Sequence, residues 1–357
     1  MDLIRGKTVL LTGGAGTVGR ELIRHLLARQ PRELRVIDTN ESEVFNLEEE
    51  FGVPYRAYSG SKKEESRTRF HAYVGDVRDP DKLGMKMQGV DIVFHVAALK
   101  HVVLCERSPF DAVQTNIIGV KNIVNSALAH DVERVIFTSS DKAVNPTSVM
   151  GTSKLMGERL VSAANSLKGP RRTIFSSTRF GNVIGSRGSV SPIFYRQIRN
   201  GGPLTLTDPR MTRFVMSIED SVRLVLKAAE LAKGGEVFIT KMSVLRIADL
   251  AQVMIDMLAP GKHIEVREIG AKAGEKLYEE LMTEEETSRS LELSEMYAVL
   301  PAFRHVYEEI YYRYPDTVSA VVGAPYTSAN CEPMTREQIR EFLGRNRIIE
   351  KAERGGI

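Results

Sequence analysis

Ser140, Asp141 and Lys142 put a hydroxyl, a carboxylate and an amine at three successive positions, and a second lysine, Lys154, follows shortly after. Such a group can move protons. A lysine desolvated near other cations has its pKa pulled down and becomes a competent base. A carboxyl group beside it, protonated at the right moment, is an acid. A serine hydroxyl can hydrogen-bond an oxygen whose charge is changing. The bland alternative is a surface ion pair worth little. Met150 lies four residues before Lys154. It can neither give nor take a proton, and alone it reads as core packing.

A second group suits a phosphate. Thr12-Gly13-Gly14-Ala15-Gly16-Thr17-Val18-Gly19 sits between a short apolar strand and a helical stretch. Gly13, Gly16 and Gly19 permit a tight turn, close approach of backbone to a pyrophosphate, and close packing of helix on strand. The helix N-terminus then turns N–H groups and a positive dipole end toward the phosphates. A glycine pattern alone also fits an ordinary strand–helix turn. Asp38 ends the next strand about 20 residues on, where a carboxylate accepts from both ribose hydroxyls. It would repel a 2′-phosphate, which favours NAD over NADP. Gly75-Asp76-Val77-Arg78-Asp79 follows the third strand. There Asp76 can reach an adenine amine or serve as a turn residue.

The elements that must position these residues alternate. Strands are expected at Thr8 to Thr12, Leu34 to Ile37, His71 to Val74, Asp91 to Val96, Arg134 to Thr138 and Thr173 to Ser177. Helices are expected at Arg20 to Arg29, Pro109 to His130 and Gly151 to Asn165. This is an α/β pattern, a Rossmann-like doubly wound parallel sheet. Tyr55 to Arg69 is polar and reads as a surface loop. The expected division is a dinucleotide-binding domain over residues 1–180, with the catalytic residues. A smaller, mixed C-terminal substrate lobe covers residues 181–357, interleaved with the first. Glu236 to Thr240 and the helix Ile247 to Leu258 belong to it. Pro315 onward reads as a loop-rich tail ending in one amphipathic helix, Thr335 to Gly344.

Composition narrows the function. The net charge of +3 argues against a nucleic-acid surface. Two cysteines, Cys105 and Cys331, fit a reducing compartment and offer no metal-ligand spacing. No apolar run approaches the roughly 20 residues needed to span a bilayer. Met1 to Lys7 lacks the apolar core and small-residue cleavage site expected of a signal peptide. The expectation is a cytoplasmic protein with no metal, nucleic acid or membrane partner.

Further stretches carry a resemblance. They are Ala97-Ala98-Leu99-Lys100-His101-Val102, Asn116-Ile117-Ile118-Gly119, Ser140-Asp141-Lys142-Ala143-Val144-Asn145-Pro146 and Arg179-Phe180-Gly181-Asn182-Val183. Gly185-Ser186-Arg187-Gly188-Ser189-Val190, Thr212-Arg213-Phe214 and Gly274-Glu275-Lys276-Leu277 complete them. With these, the chain resembles the extended short-chain dehydrogenase/reductases, and most of all the UDP-N-acetylglucosamine 4,6-dehydratase group. The resemblance spans roughly Lys7 to Glu286. Small soluble members of that group usually carry tyrosine where this chain has Met150. Members with methionine are mostly larger, membrane-attached proteins whose catalytic domain this chain resembles.

The resemblance implies an activity and a set of roles. Hydride leaves C4 of the hexose for NAD, water is lost across C5 and C6, and hydride returns to C6. Lys142 takes the C5 proton and Asp141 protonates the C6 oxygen. Ser140 holds the C4 oxygen. With Met150 in place of a phenol, the acceptor of the C4 hydroxyl proton is left open by the resemblance, and Asp141 is the hypothesis for it. Lys154 binds the nicotinamide ribose. Cofactor contacts are carried to Gly13, Gly16, Thr17, Val18, Gly19, Asp38, Asn40, Glu41, Asp76, Val77, Ala97, Ala98, Lys100 and Asn116. Substrate contacts are carried to Lys100, His101, Asn182, Ser189, Arg213 and Glu275, the partner being a UDP-linked amino sugar. The methionine-type resemblance also implies retention at C5. A C4 epimerase and a non-catalytic NAD-binding regulator are the competing readings. Helices Pro109 to His130 and Gly151 to Asn165 are the pair expected to form a homodimer or higher homo-oligomer.

Overall fold

The computed structural model describes residues 2–52, 68–186, 188–270, 274–303 and 310–353. Six parallel strands, β1 (Thr8–Thr12), β2 (Glu33–Asp38), β3 (Arg69–Val74), β4 (Ile92–His95), β5 (Arg134–Ser140) and β6 (Ile174–Phe180), lie in the order β3-β2-β1-β4-β5-β6. The order reverses between β1 and β4, the switch point at which such sheets bind ligands beyond the strands' carboxyl ends. Strand β1 is buried along its whole length, as expected when helices cover both faces. On one face, helices Thr17–Ala28 and Ile218–Leu231 pack through Leu22, Ile23, Leu26, Val222 and Val225. On the other, helices Pro80–Met87, Gly119–Ala129 and Val149–Leu167 pack through Leu83, Met87, Ile123 and Val161.

The sheet is longer than the alternation foretold. Strand Val237–Thr240 pairs parallel with β6, and three antiparallel strands, Met296–Val299, Ser290–Leu293 and Thr317–Ser319, extend that edge. Chain beyond residue 180 therefore contributes to the central sheet as well as to a second core. That second core joins strands Asn182–Val183, Thr212–Met216 and Ser243–Arg246 with helices Val190–Arg199, Ile247–Leu258 and Arg336–Arg345. The tail expected after Pro315 carries strand Thr317–Ser319 and a second helix, Ile348–Glu353, beyond the amphipathic one.

Two further expectations need correction or fall outside view. Tyr55 to Arg69 lies almost wholly outside the described residues, and Arg69 opens β3. The single helix expected from Pro109 to His130 is broken. It runs as Pro109–Val113, a π-turn Gln114–Ile118, and Gly119–Ala129. The π-turn carries Asn116 inward. Among the described residues no helix is long and apolar enough to cross a membrane, and no cluster of ligands could hold a metal ion.

Candidate functional site

The carboxyl ends of β1 to β6 open onto one cavity of about 1040 Å³. That is at the upper end of the roughly 300–1,000 Å³ of small-molecule sites. The glycine turn forms one end. Gly13 has φ +75°, and a Cβ there would sit 2.6 Å from Ala97 N. A Cβ on Gly19 would sit 2.2 Å from Gly13 O. Gly14 is as constrained, its Cβ meeting Val36 at 2.1 Å, although the sequence reading passed over it. Helix Thr17–Ala28 begins without a side chain capping its N-terminus, which leaves the dipole end open to an anion.

This end fits a dinucleotide. Asp38 is oriented by Ala15 N at 3.0 Å and Asn40 N at 3.1 Å, and it faces the cavity. Asp76 also lines the cavity, but Arg78 holds it by three hydrogen bonds, from Nε, Nη2 and the backbone N. That pairing keeps its carboxyl below the usual range. Gly13, Gly16, Thr17, Val18, Gly19, Val77, Ala97, Ala98 and Lys100 line the same cavity.

Gly19→Ala is expected to abolish stable cofactor binding, because the new methyl group meets backbone that cannot yield. The measurement is NAD retained after gel filtration. Full retention would mean that the turn holds no pyrophosphate.

Three residues expected to touch the cofactor do not line the cavity. Asn116 is buried, and its amide is spent on Leu99 N, Leu99 O and Ser153 Oγ, each at 2.9 Å. It fastens the loop after β4 to helix Val149–Leu167. Asn40 caps helix Glu41–Phe51 by accepting from Glu43 N, and Glu41 occupies that helix's first turn. Both serve the helix dipole and its free N–H groups.

The catalytic candidates sit where β5 ends. Asp141 is 1% exposed. Its Oδ1 accepts from Ser140 Oγ at 2.7 Å, Lys142 N at 2.9 Å and Lys142 Nζ at 3.0 Å. Its Oδ2 is buried without a partner. An orphaned carboxylate oxygen beside a cavity is costly unless a ligand uses it. Met150 packs with Cys105 and Ala112 in the cavity wall and contributes shape alone.

Lys142 corrects an expectation. Burial pushes its amine down, but Asp141 and Glu279, at 3.0 and 3.5 Å, push it further up, and the net direction is raised. In the ligand-free site Lys142 is a cation. The sequence reading missed Glu279, which also pairs with Arg213 Nε at 3.5 Å. Glu279 comes from the segment after Gly274, which folds back over the β5 turn.

Lys154 goes the other way. Its amine donates to Thr138 O at 2.6 Å and lies over the Phe137 ring. Burial pulls its pKa down to about 7. The folded value lies below the unfolded one of 10.5, so the unfolded chain binds more protons between the two. The lysine therefore costs stability in full below pH 7, and the cost falls as pH rises toward 10.5. Lys154→Met is expected to raise the urea midpoint of the cofactor-free chain at acid pH, with the gain shrinking steadily on the alkaline side. A gain independent of pH would refute the assignment.

The remaining candidates divide. Asn182 Oδ1 lies 3.5 Å from Lys142 Nζ. His101, at the cavity rim, faces Gly188, where a Cβ would come within 2.7 Å of its ring. Ser189 precedes helix Val190–Arg199, and Glu275 also lines the cavity. Arg213 lines it too, but its amines donate to the carbonyls of Thr212, Lys276 and Leu277. It clamps the 274–280 segment. Arg179 does not face the cavity. It is buried between Glu158 and Glu286 and ties β6 to two helices.

The chain is similar to known proteins. A family model described as polysaccharide biosynthesis protein matches residues 9–301. A protein of Methanocaldococcus jannaschii named an uncharacterized membrane protein is 49% identical, over 84% of this chain and 87% of its own. A UDP-N-acetylglucosamine 4,6-dehydratase (inverting) of Campylobacter jejuni is 37% identical, over 84% of both chains. A UDP-glucose 4-epimerase of Rickettsia canadensis is 36% identical, over 94% of this chain and 95% of its own. The crystal structure of Pen from Bacillus thuringiensis superposes with a TM-score of 0.86 at 38% identity, covering 97% of this chain and 99% of that one. The chain belongs to the polysaccharide biosynthesis protein family, among relatives named as nucleotide-sugar dehydratases and epimerases.

Proposed function

We propose that the chain is an NAD-dependent nucleotide-sugar 4,6-dehydratase acting on UDP-N-acetylglucosamine. The observation that carries this is Asp141, buried at the cavity wall with Oδ2 unpartnered and with Ser140 and Lys142 on its other oxygen. An acid and a base so placed serve water loss. Epimerisation at C4 has no use for an acid at C6 and a base at C5. The name of the Campylobacter relative supports the substrate.

When bound, NAD supplies hydride acceptance from C4 and return to C6. The glycine turn and the helix that follows hold its pyrophosphate, Asp38 the adenosine ribose and Lys154 the nicotinamide ribose. Ser140 orients the C4 hydroxyl, and Asp141 Oδ2 accepts its proton. The resulting ketone acidifies the C5 proton, which Lys142 removes. Asp141 then passes its proton to the C6 oxygen, which departs as water. The C4 hydroxyl proton thus leaves in that water, and the C5 proton is returned. No phenol is required at position 150. The configuration at C5 is left unassigned, because the methionine-type resemblance implies retention while the Campylobacter relative is named inverting.

A C4 epimerase is the second reading, favoured by the name of the Rickettsia relative. Incubation of the purified protein with UDP-N-acetylglucosamine, followed by product mass, separates the two. Loss of one water is expected. An isomer of unchanged mass would overturn the proposal in favour of epimerisation. Unaltered substrate with NAD still bound would point to the binding protein or another nucleotide sugar.

A further inference from the structure

Lys142 is a cation in the ligand-free site, yet the dehydratase reading asks it to be a base. Its proton must go somewhere before C5 can be deprotonated. Glu279 Oε1 stands 3.5 Å from Lys142 Nζ. The side chain is 4% exposed, and Oε2 is buried without a partner. Its backbone is fixed on both sides, N donating to Ser328 Oγ at 2.9 Å and O accepting from Ser328 N at 2.8 Å. Arg213 and Lys276 hold the same segment down, Lys276 Nζ donating to Val144 O at 2.8 Å. None of this is needed for a solvated ion pair.

We propose that Glu279 is the proton acceptor for Lys142, and that one proton passes between them to free the amine as a base. The inference rests on the dehydratase reading for the use of that base. In the step, a Lys142 N–H bond breaks and its electron pair stays on nitrogen. An O–H bond forms on Glu279, and the net charge of the pair is unchanged. The gap must close by a few tenths of an ångström to reach the roughly 3.2 Å of a working hydrogen bond, as ligand-free sites commonly require. The charges facing Glu279 are Asp141, Lys142, Arg213 and Lys276. Burial and Asp141 raise its carboxyl above the usual range, against the pull of the three cations, which makes it a ready acceptor. Glu279 acts through Lys142 and is a positioning residue in that sense.

A shared proton leaves a distinctive pH signature. Where the pair passes its proton internally, the fraction of neutral amine does not depend on pH across the neutral range. With Asp141→Asn in the background, to remove the carboxylate 3.0 Å from Lys142 Nζ, loss of Glu279 leaves the proton only solvent, and that fraction rises roughly tenfold per pH unit. Lys142 is about a third exposed, toward the cavity, and within reach of a small amine-acylating reagent. Its labelling rate can be read from the mass of its peptide between about pH 6 and pH 8, with an exposed lysine correcting for the reagent. Asp141→Asn is expected to stay nearly flat, Asp141→Asn with Glu279→Gln to climb roughly tenfold per unit, and Asp141→Asn with Glu279→Asp to return toward flat. Parallel curves for Asp141→Asn with and without Glu279→Gln would overturn the relay. If the double variant does not fold, Asp141→Asn alone still decides, since a tenfold-per-unit slope there contradicts it. Labelling needs no substrate. Unchanged product mass with the signature present sinks the substrate reading and leaves the relay standing.

Discussion

Asp141→Asn is expected to stop the reaction at its first step. The amide keeps the shape of the side chain and can still accept from Ser140 and Lys142, so the fold should survive. It cannot take the C4 hydroxyl proton, and it has none to give to the C6 oxygen. General acid–base groups contribute about 10²–10⁴-fold each, and this residue holds two such roles in sequence. Turnover should therefore fall by at least roughly 10³-fold. In a single turnover neither reduced nicotinamide nor water loss should appear. Reduced nicotinamide at the normal rate, with water loss blocked, would show that another base serves C4 and that Asp141 acts only at C6.

Lys142→Met is expected to divide the reaction. Methionine keeps the apolar stem but supplies no base. Oxidation at C4 can proceed, while removal of the C5 proton falls by about 10²–10⁴-fold. Reduced nicotinamide and a 4-keto sugar should then accumulate together. Rapid-quench analysis of the sugar beside the nicotinamide absorbance measures both. Normal water loss from this variant would remove Lys142 from the mechanism.

These expectations draw on what the chain declares locally and on what only folding assembles. The places of β1 to β6 were legible because apolar runs, glycine turns and acidic strand ends are local signals, although β5 and β6 run on past the expected Thr138 and Ser177 to Ser140 and Phe180. Asp38 and Asp141 stand where those signals put them. Asn116 was misread because a π-turn rotates it inward, and nothing in Gln114 to Ile118 announces the extra residue in that turn. The charge of Lys142 was misread because Glu279 lies far along the sequence and reaches the site only when its segment folds over the β5 turn. Arg213 has the guanidinium that phosphate recognition favours, yet tertiary carbonyls claim it first. Strands Ser290–Leu293 and Met296–Val299 are short, and Glu292 interrupts the first. Met296–Val299 is placed by pairing with Val237–Thr240, and Ser290–Leu293 by pairing with Met296–Val299, contacts without local trace.

The central claim is that hydride removed at C4 returns at C6 after water has left. UDP-N-acetylglucosamine carrying deuterium at C4 tests this directly, with the product examined by mass and by proton resonance of the C6 group. The account predicts a product lighter by one water, with the deuterium retained in the new C6 methyl group. A product of unchanged mass with deuterium still at C4 would contradict it and identify an epimerase.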